Sequence, residues 1–483
     1  MSTVNTVHRG FYLDSVALMR LSRQLSQMDG VDDAAVMMGA PANHAILDTA
    51  GLLTGAGQSA TPGDLVIAIR ATSDDTAAAA LAAAEGALLA PAGPAGAAPV
   101  TRARTLERGR AHMPDANLVL ISTPGHYATA LAHKALHHGL HVMIFSDNVS
   151  IDDEVHLKRE AARRNLLVMG PDCGTAIISG VPLAFANRVA SGSTGIIGAS
   201  GTGIQEVSCL IDHSGGGVSH AIGVGGRDLT APVGGQATLM AIDALAEDDR
   251  TDQVVVIAKP PDPDVAARVL NRLADFPHPS IVCFLGAPPM TLPANVRQAR
   301  TLKDAALLAL RRGETLPPPP DRTARHGRIV GLYAGGTLCA EAQMIARDAG
   351  LAVRSNVLPV SGAEAGDQGG ECVLIELGDV ALAVGGPHPM IGPAVRDAPL
   401  AAALEDPETA IILLDLILGQ GAHPDPAAAL VPVLAKADSR PVVLCSVTGT
   451  RADIQNRSRQ IRTLEDAGVV VAPSNADAAR WAV

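Results

Sequence analysis

The sequence predicts an α/β chain built from several layered sheets. Three observations point there. Short Gly-, Val- and Ile-rich runs alternate with Ala-rich runs along all 483 residues, the order that places helices on sheets. Hydrophobic residues make up 47% of the chain, enough for sizeable cores. Two separate stretches, 195–206 and 328–341, each lead an apolar run into a Gly-rich turn and then a helical pattern. The length suits roughly three or four domains.

Residues 1–90 predict a small α+β domain. Thr6 to Asp14 and Val31 to Met38 read as strands, and Leu65 to Ile69 as a third. Between them, Val16, Leu18, Met19, Leu21 and Leu25 recur at helical spacing, and Pro41 to Leu53 reads as a second helix. Asp74-Asp75 favours the start of the Ala-rich helix that follows, because acidic groups suit a helix N-terminus. The β-α-β-α-β-α order suggests a ferredoxin-like sheet with helices on one side. Residues 91–100, rich in Pro, Gly and Ala, form a linker by composition. The basic residues after it, Arg102, Arg104, Arg108 and Arg110, suit either a solvated face or an anionic partner.

Residues 101–190 predict an open parallel α/β domain. Leu118 to Ile121, His141 to Ser146 and Leu166 to Met169 are its strands, and 128–138 and 152–164 its helices. The last strand ends in Gly170-Pro171-Asp172-Cys173-Gly174-Thr175, at the carboxyl edge where such sheets bind ligands. No G-x-G-x-x-G opens this domain, so a standard dinucleotide fingerprint is missing.

Residues 191–315 hold the first Gly-rich turn, Ser200-Gly201-Thr202-Gly203, after the strand Gly195 to Gly198. A second Gly loop, Gly223-Val224-Gly225-Gly226-Arg227-Asp228, ends another strand, and Val254 to Ala258 and Ile281 to Leu285 are buried strands. Pro317 to Pro320 marks a boundary. Residues 326–483 repeat the pattern with Gly335-Gly336-Thr337, then Val380 to Val384 leading to Gly385-Gly386-Pro387-His388-Pro389, and strands Ile411 to Leu414 and Val442 to Cys445. Both halves read as flavodoxin-like.

A strand–turn–helix of this kind leaves amide N–H groups unpaired at the positive end of the helix, a ready anion site. Ser200, Gly201, Thr202 and Gly203 are therefore candidate phosphate ligands, and so are Gly335, Gly336 and Thr337. Gly225, Gly226, Gly385 and Gly386 are candidates of the same kind. The turns share Gly-Thr-x-x-x-Glu, which points to a duplicated unit. Glu206 and Glu341 fall about one turn into their helices and either act on a group held there or cap the first turn. His388, between two prolines, is a candidate to meet a ligand. Lys259 and Arg227 at strand ends are candidate anion contacts. His133 and His137 share a helix face, but no third metal ligand accompanies them.

The net charge of −12 and an aromatic content of 2% argue against a nucleic-acid partner. Six scattered cysteines form no C-x-x-C pair and read as buried reduced thiols. The opening Met-Ser-Thr-Val-Asn lacks a signal-peptide pattern and no run of about 18 apolar residues appears. A cytoplasmic protein without a membrane partner is expected.

In order, the loop Gly170 to Gly174, the turn Gly195 to Thr202 with Glu206, and the loop Gly223 to Asp228 resemble the α subunit of succinyl-CoA synthetase. The C-terminal part resembles the ligase domain of that enzyme's β subunit, and the whole chain resembles the FdrA family. The resemblance implies a Rossmann-like CoA-binding-type domain, two flavodoxin-like ligase domains and the small N-terminal domain. Glu206 then matches the glutamate that orients the synthetase's phosphohistidine. That histidine lies in a Gly-His-Ala-Gly segment. The corresponding stretch here, Ala258 to Pro263, has none, and Gly-His-Ala occurs nowhere in the chain. The ATP-grasp half is absent too. FdrA resemblance implies a subunit of oxamate carbamoyltransferase in allantoin breakdown, with phosphate or carbamoyl phosphate as ligand and further residues supplied by partner subunits of a hetero-oligomer. The synthetase resemblance leaves CoA binding and acyl-CoA ligase activity as an alternative, and a non-catalytic scaffold as a third.

Overall fold

The computed structural model describes residues 2–11, 13, 15–89, 103, 105–313, 318, 327–357, 372–378, 388–435 and 441–483. They divide into two compact units at Val142 and Met143. The linker at 91–100, Arg102, Arg104, most of the proline run, the strand expected at 380–384 and the pair Gly385-Gly386 lie outside the described residues.

The first unit begins β1 (Ser2–His8), α1 (Ser15–Ser26), β2 (Val31–Met38), α2 (Pro41–Thr49), α3 (Gly55–Gln58), β3 (Leu65–Ala71) and α4 (Asp74–Leu89). Strand β3 lies in the middle, antiparallel to both β1 and β2. Its side chains alternate between two buried faces. Leu65, Ile67 and Ile69 pack with Leu18, Leu21, Leu25, Ala77, Ala80 and Ala84. Val66 and Ala68 pack with Leu47 and Leu52 on the other side. Helices thus cover both faces, not one, because β3 is apolar at nearly every position. The first strand starts earlier than the expected Thr6 to Asp14, and the second helix stops at Thr49. After it come α5 (Leu106–His112), β4 (Leu118–Ile121) and α6 (Gly125–His137), and β5 (His141–Ile144) carries the chain across the boundary. Arg108 and Arg110 sit on α5, and His137 turns its Nδ1 to the carbonyl of His133 within α6.

The second unit opens with α7 (Ile151–Arg163), β6 (Val168–Met169), β7 (Thr175–Ile178) and β8 (Val181–Ala184). The first lobe continues with β9 (Ser191–Gly198), α8 (Gly201–His213), β10 (Val218–Gly223), α9 (Gln236–Ala246), β11 (Gln253–Ala258), α10 (Pro263–Ala274), β12 (Ser280–Phe284), β13 (Val296–Gln298) and α11 (Leu302–Ala309). Its sheet runs β13-β12-β11-β9-β10-β7-β8. The first five strands are parallel, whereas β7 runs antiparallel to both β10 and β8. The parallel domain expected over 101–190 therefore gives its last hairpin to the next sheet.

The second lobe contains β14 (Arg328–Tyr333), α12 (Gly336–Asp348), β15 (Val353–Ser355), β16 (Cys372–Glu376), α13 (Asp397–Glu405), β17 (Thr409–Ile417), α14 (Pro426–Leu434), β18 (Val442–Thr448), α15 (Arg457–Asp466), β19 (Val470–Ala472) and α16 (Asn475–Ala482). Its sheet, β15-β16-β14-β17-β18-β19, is parallel throughout. Parallel strands buried on both faces read as unbroken apolar runs. β17 is buried at every position. One continuous core joins the lobes: Ile196, Ile204, Val207 and Leu302 belong to the same cluster as Leu338, Ala342, Ala476 and Ala479. All six cysteines are buried and unpaired. Among the described residues no helix is long and apolar enough to cross a membrane.

Candidate functional site

The two Gly-Thr turns meet. Ser200 is the N-cap of α8, its Oγ accepting from the amide of Gly203 at 3.0 Å. The same hydroxyl shares a 2.5 Å hydrogen bond with the Thr337 hydroxyl at the start of α12. The amides of Gly201 and Thr202 have no partner among the described residues. Two positive helix ends thus abut, and at the second the amides of Gly336 and Thr337 are likewise without a partner among the described residues.

The second turn is different. The carboxylate of Asp415 on β17 accepts from the amides of Ala334 and Gly335, both at 2.7 Å. Asp415 is fully buried and paired with the guanidinium of Arg396, which also donates to the Asp415 carbonyl at 2.5 Å. A second carboxylate, Glu376, lies against Gly336: a Cβ there would sit 2.6 Å from Glu376 Oε1. Gly335 is therefore engaged by the protein's own anion and is not a free phosphate donor. A phosphate dianion at this turn would face two resident carboxylates.

Strand register explains the asymmetry. Ile197 pairs with Val256 and Leu332 with Leu414, each four residues before the helical glycine. The next residue, facing the turn, is Ile257 in the first lobe and Asp415 in the second. Two residues further on come Lys259, just past the end of β11, and Ile417, still within β17. The first turn has a hydrophobe beside it, with a cation just past the end of that strand, and the second has a carboxylate and a hydrophobe. Lys259 is half-buried and makes no hydrogen bond among the described residues.

Glu206 and Glu341 turn away from the helix starts and tie the lobes together. Glu206 Oε1 accepts from the Asn475 amide at 3.1 Å, and its Oε2 from the Thr448 hydroxyl at 2.5 Å. Glu341 Oε1 accepts from the Leu302 amide at 2.6 Å, and its Oε2 from Asn475 Nδ2 at 2.7 Å. Each glutamate thus caps the last helix of the opposite lobe. Around them Lys303 pairs with Asp477 at 2.6 Å, and Arg480 lies 3.9 Å from Asp304. Burial raises both carboxyls. Glu341, with Glu206 nearby, reaches about 8.

His388 is half-buried, with Nδ1 accepting from the Met390 amide at 3.2 Å, so its proton rests on Nε2. Burial and then Arg396 hold the imidazole down to about 4. Its ring lies over Gly378, on the second-turn side.

Gly225 is left-handed at φ 87° and packs on the preceding loop: a Cβ would lie 2.9 Å from Gly170 Cα. Its role is close packing rather than ligand contact. Gly226 stays open, with Asp172 Oδ2 at 3.8 Å from a Cβ built there. Arg227 is engaged by Glu154 at 2.9 Å and by the Val149 carbonyl, so it is not a free anion contact. Beneath it Lys158 binds Glu154 and Asp228, both at 2.8 Å, and Asp228 accepts from the Thr238 amide near the start of α9.

Sequence reasoning passed over Asp415, Arg396 and Asn475. Asp415 carries a visible signal, one charge in the apolar run Ile411 to Leu418. Asn475 belongs to a second echo: Ala299-x-Thr301-x-x-Asp304-Ala305-Ala306 matches Ala472-x-Ser474-x-x-Asp477-Ala478-Ala479. In both copies the hydroxyl is an N-cap bonded to the Asp amide.

The chain is similar to known proteins. Over 98% of its length the chain is 38% identical to the protein YahF of Escherichia coli (strain K12), spanning 97% of that protein. The chain belongs to the YahF family. Residues 190–286 match the family described as a CoA binding domain, and 332–483 the one described as CoA-ligase. Residues 1–102 match the family described as AllF, heavy metal-associated domain. They contain no cysteine, so the thiolates that soft metals prefer are missing there. Among the described residues no group of three His, Cys, Asp or Glu side chains is arranged to hold a metal. The α subunit of the ADP-forming succinate–CoA ligase of Methanothermobacter thermautotrophicus is 26% identical over 30% of this chain and 49% of that subunit. The dinucleotide-forming acetyl-coenzyme A synthetase 1 of Ca. Korarchaeum cryptofilum is 15% identical, with a TM-score of 0.33 over 76% of this chain and 81% of that one. The architecture is that of a succinyl-CoA synthetase-like pair of CoA-binding and ligase lobes.

Proposed function

We propose that the chain is a subunit of an oxamate carbamoyltransferase-type assembly of the FdrA kind, handling carbamoyl phosphate at its first Gly-Thr turn. The observation that carries this reading is the difference in charge beside the two turns. The strand next to the first offers Ile257 and ends just before Lys259, whereas the strand next to the second carries Asp415, bonded to the amides of Ala334 and Gly335. A phosphate at the second turn would meet Asp415 and Glu376, so the reading places one phosphate, at the first turn.

The chemistry fits that site. Phosphate oxygen attacks the carbamoyl carbon of oxalurate, the carbon–nitrogen bond breaks, and the departing oxamate nitrogen takes a proton. Carbamoyl phosphate remains, its phosphoryl group held by helix-start amides and a lysine. No histidine follows β11 or β12 over 258–263 and 285–295, so a phosphohistidine relay has no carrier there. The N-terminal match to a domain named for AllF also supports the reading. The test is phosphate-dependent release of oxamate from oxalurate by the chain assembled with its partner subunits. Absence of carbamoyl phosphate among the products rejects it.

The family matches over 190–286 and 332–483 favour a second reading, an acyl-CoA ligase-like enzyme. It requires CoA binding. Calorimetric titration of the purified chain with CoA, then phosphate, separates the two: heat with CoA supports the ligase, and heat with phosphate alone supports the transferase.

A further inference from the structure

The loop between β6 and β7 reaches both glycine loops of the first lobe. At its end, Thr175 Oγ1 lies 3.0 Å from where a Gly201 Cβ would be, so the loop touches the first turn. At its start, Gly170 packs on Gly225, and between them Asp172 lays its carboxylate over Gly226. The backbone is pinned: the amides of Asp172 and Cys173 donate to the carbonyls of Ser146 and Ile144 at 3.0 Å each. Asp172 itself is held at φ 57°. It stands at the same edge of the sheet as Ser200, Gly226 and Lys259, where β9, β10 and β11 end side by side.

We infer that Asp172 is the catalytic proton-transfer group of this site and Lys259 its anion anchor. The inference rests on the carbamoyltransferase reading. In phosphorolysis, Asp172 gives its proton to the leaving oxamate nitrogen as the carbon–nitrogen bond breaks. In the reverse direction its carboxylate takes that proton from the oxamate amide as nitrogen attacks the carbamoyl carbon and the phosphate leaves. Lys259 neutralises the phosphate in both.

The surroundings suit a group that must exist in both states. Asp172 has an open face, but the protein around it and the carboxylate of Asp147 lift its pKa to about 6. Arg227 and Lys259 pull the other way, and Glu154 adds a smaller upward push. Arg227 is bound to Glu154, whereas Lys259 is free to take a phosphate.

The experiment uses the full chain assembled with its partner subunits. Oxalurate phosphorolysis and its reverse are followed from pH 5 to 8 for wild type, Asp172→Asn and Lys259→Met. Asn tolerates the left-handed backbone that Asp172 occupies. Asp172→Asn is expected to lower kcat by about 100-fold or more in both directions, with the KM for phosphate within about threefold. Wild type should lose rate above about pH 6 in phosphorolysis and gain it in the reverse direction, and Asp172→Asn should lose both limbs. Calorimetry with inorganic phosphate should show Lys259→Met binding about 10-fold more weakly. A wild-type assembly that transfers carbamoyl groups while Asp172→Asn keeps its rate and pH limbs overturns the role of Asp172. Unchanged phosphate affinity in Lys259→Met overturns the anchor. A wild-type assembly that binds phosphate but transfers nothing overturns the transferase reading instead.

Discussion

The turn after β9 and the turn after β14 share a Gly-Thr pair and a buried glutamate four residues on, yet the strand beside each differs. Ile257 lies beside the first, with Lys259 just past the end of that strand; Asp415 and Ile417 flank the second. The backbone is duplicated while the neighbouring charge differs. A helix start attracts an anion in either case. In the second lobe the chain supplies that anion itself, through Asp415, and in the first the neighbouring strand carries no carboxylate at the matching position. A Gly-rich turn therefore marks where an anion can sit, and the neighbouring strand decides whose anion it is.

The largest expected effect tests the internal anion. Arg396→Met leaves the Asp415 carboxylate buried with only the two turn amides. Breaking a buried pair by removing one partner costs about 3 kcal/mol or more. The first turn has no such pair beside it, so Ile257→Val should cost about 1 kcal/mol, an ordinary loss of one methyl. Urea unfolding of both variants measures this. An Arg396→Met protein as stable as wild type would mean that the turn is not held by its own carboxylate.

Steric room gives the next contrast. A methyl at Gly336 would be forced among the Glu376 carboxylate atoms, whereas one at Gly201 would meet Thr175 Oγ1 at 3.0 Å, a side chain that can turn. Gly336→Ala is expected to lose about 2 kcal/mol and Gly201→Ala about half as much. Equal losses would erase the difference between the turns.

Much of this was legible in the sequence, and the parts that were not share a cause. Strands and helices of both lobes follow from apolar runs and caps, as does the duplication of the Gly-Thr turns. The sheet to which β7 and β8 belong is a matter of pairing between distant segments, which no local pattern records. Glu206 and Glu341 were expected near the helix starts because they follow them in sequence, but a residue one turn into a helix is free to point elsewhere. Here both point across to the opposite lobe's last helix. The partner of Gly225 is similarly a loop some 55 residues earlier, from the packing of Gly170. The difference between Ile257 and Asp415 was written in the sequence but needed the strand register to be read.

Protonation sharpens the comparison between the two glutamates. Burial raises the Glu341 carboxyl to about 8 from an ordinary value of 4.5. Between those values the folded protein holds a proton that the unfolded chain releases. Stability from this group is therefore fully present below about pH 4.5 and declines as pH rises toward 8. Glu341→Gln removes that titration and should flatten the pH dependence of unfolding over this window. If wild type and Glu341→Gln lose stability in parallel from pH 5 to 8, the proton is not held on Glu341.

The smallest effect concerns the one bond that joins the two turns directly. Ser200→Ala removes the N-cap of α8 together with the link to Thr337, for about 1 kcal/mol. Thr337→Val removes only the link, because Thr337 is not the cap of its own helix. A double-mutant cycle isolates the shared hydrogen bond, whose net contribution is expected near 1 kcal/mol. The two variants should also differ in phosphate binding. Ser200→Ala alters the cap beside the free amides of Gly201 and Thr202, whereas Thr337→Val alters a turn already holding Asp415. Phosphate affinity measured by calorimetry should then fall for Ser200→Ala and stay within about twofold for Thr337→Val. A larger loss in Thr337→Val would make the second turn a partner in anion binding despite its resident carboxylates.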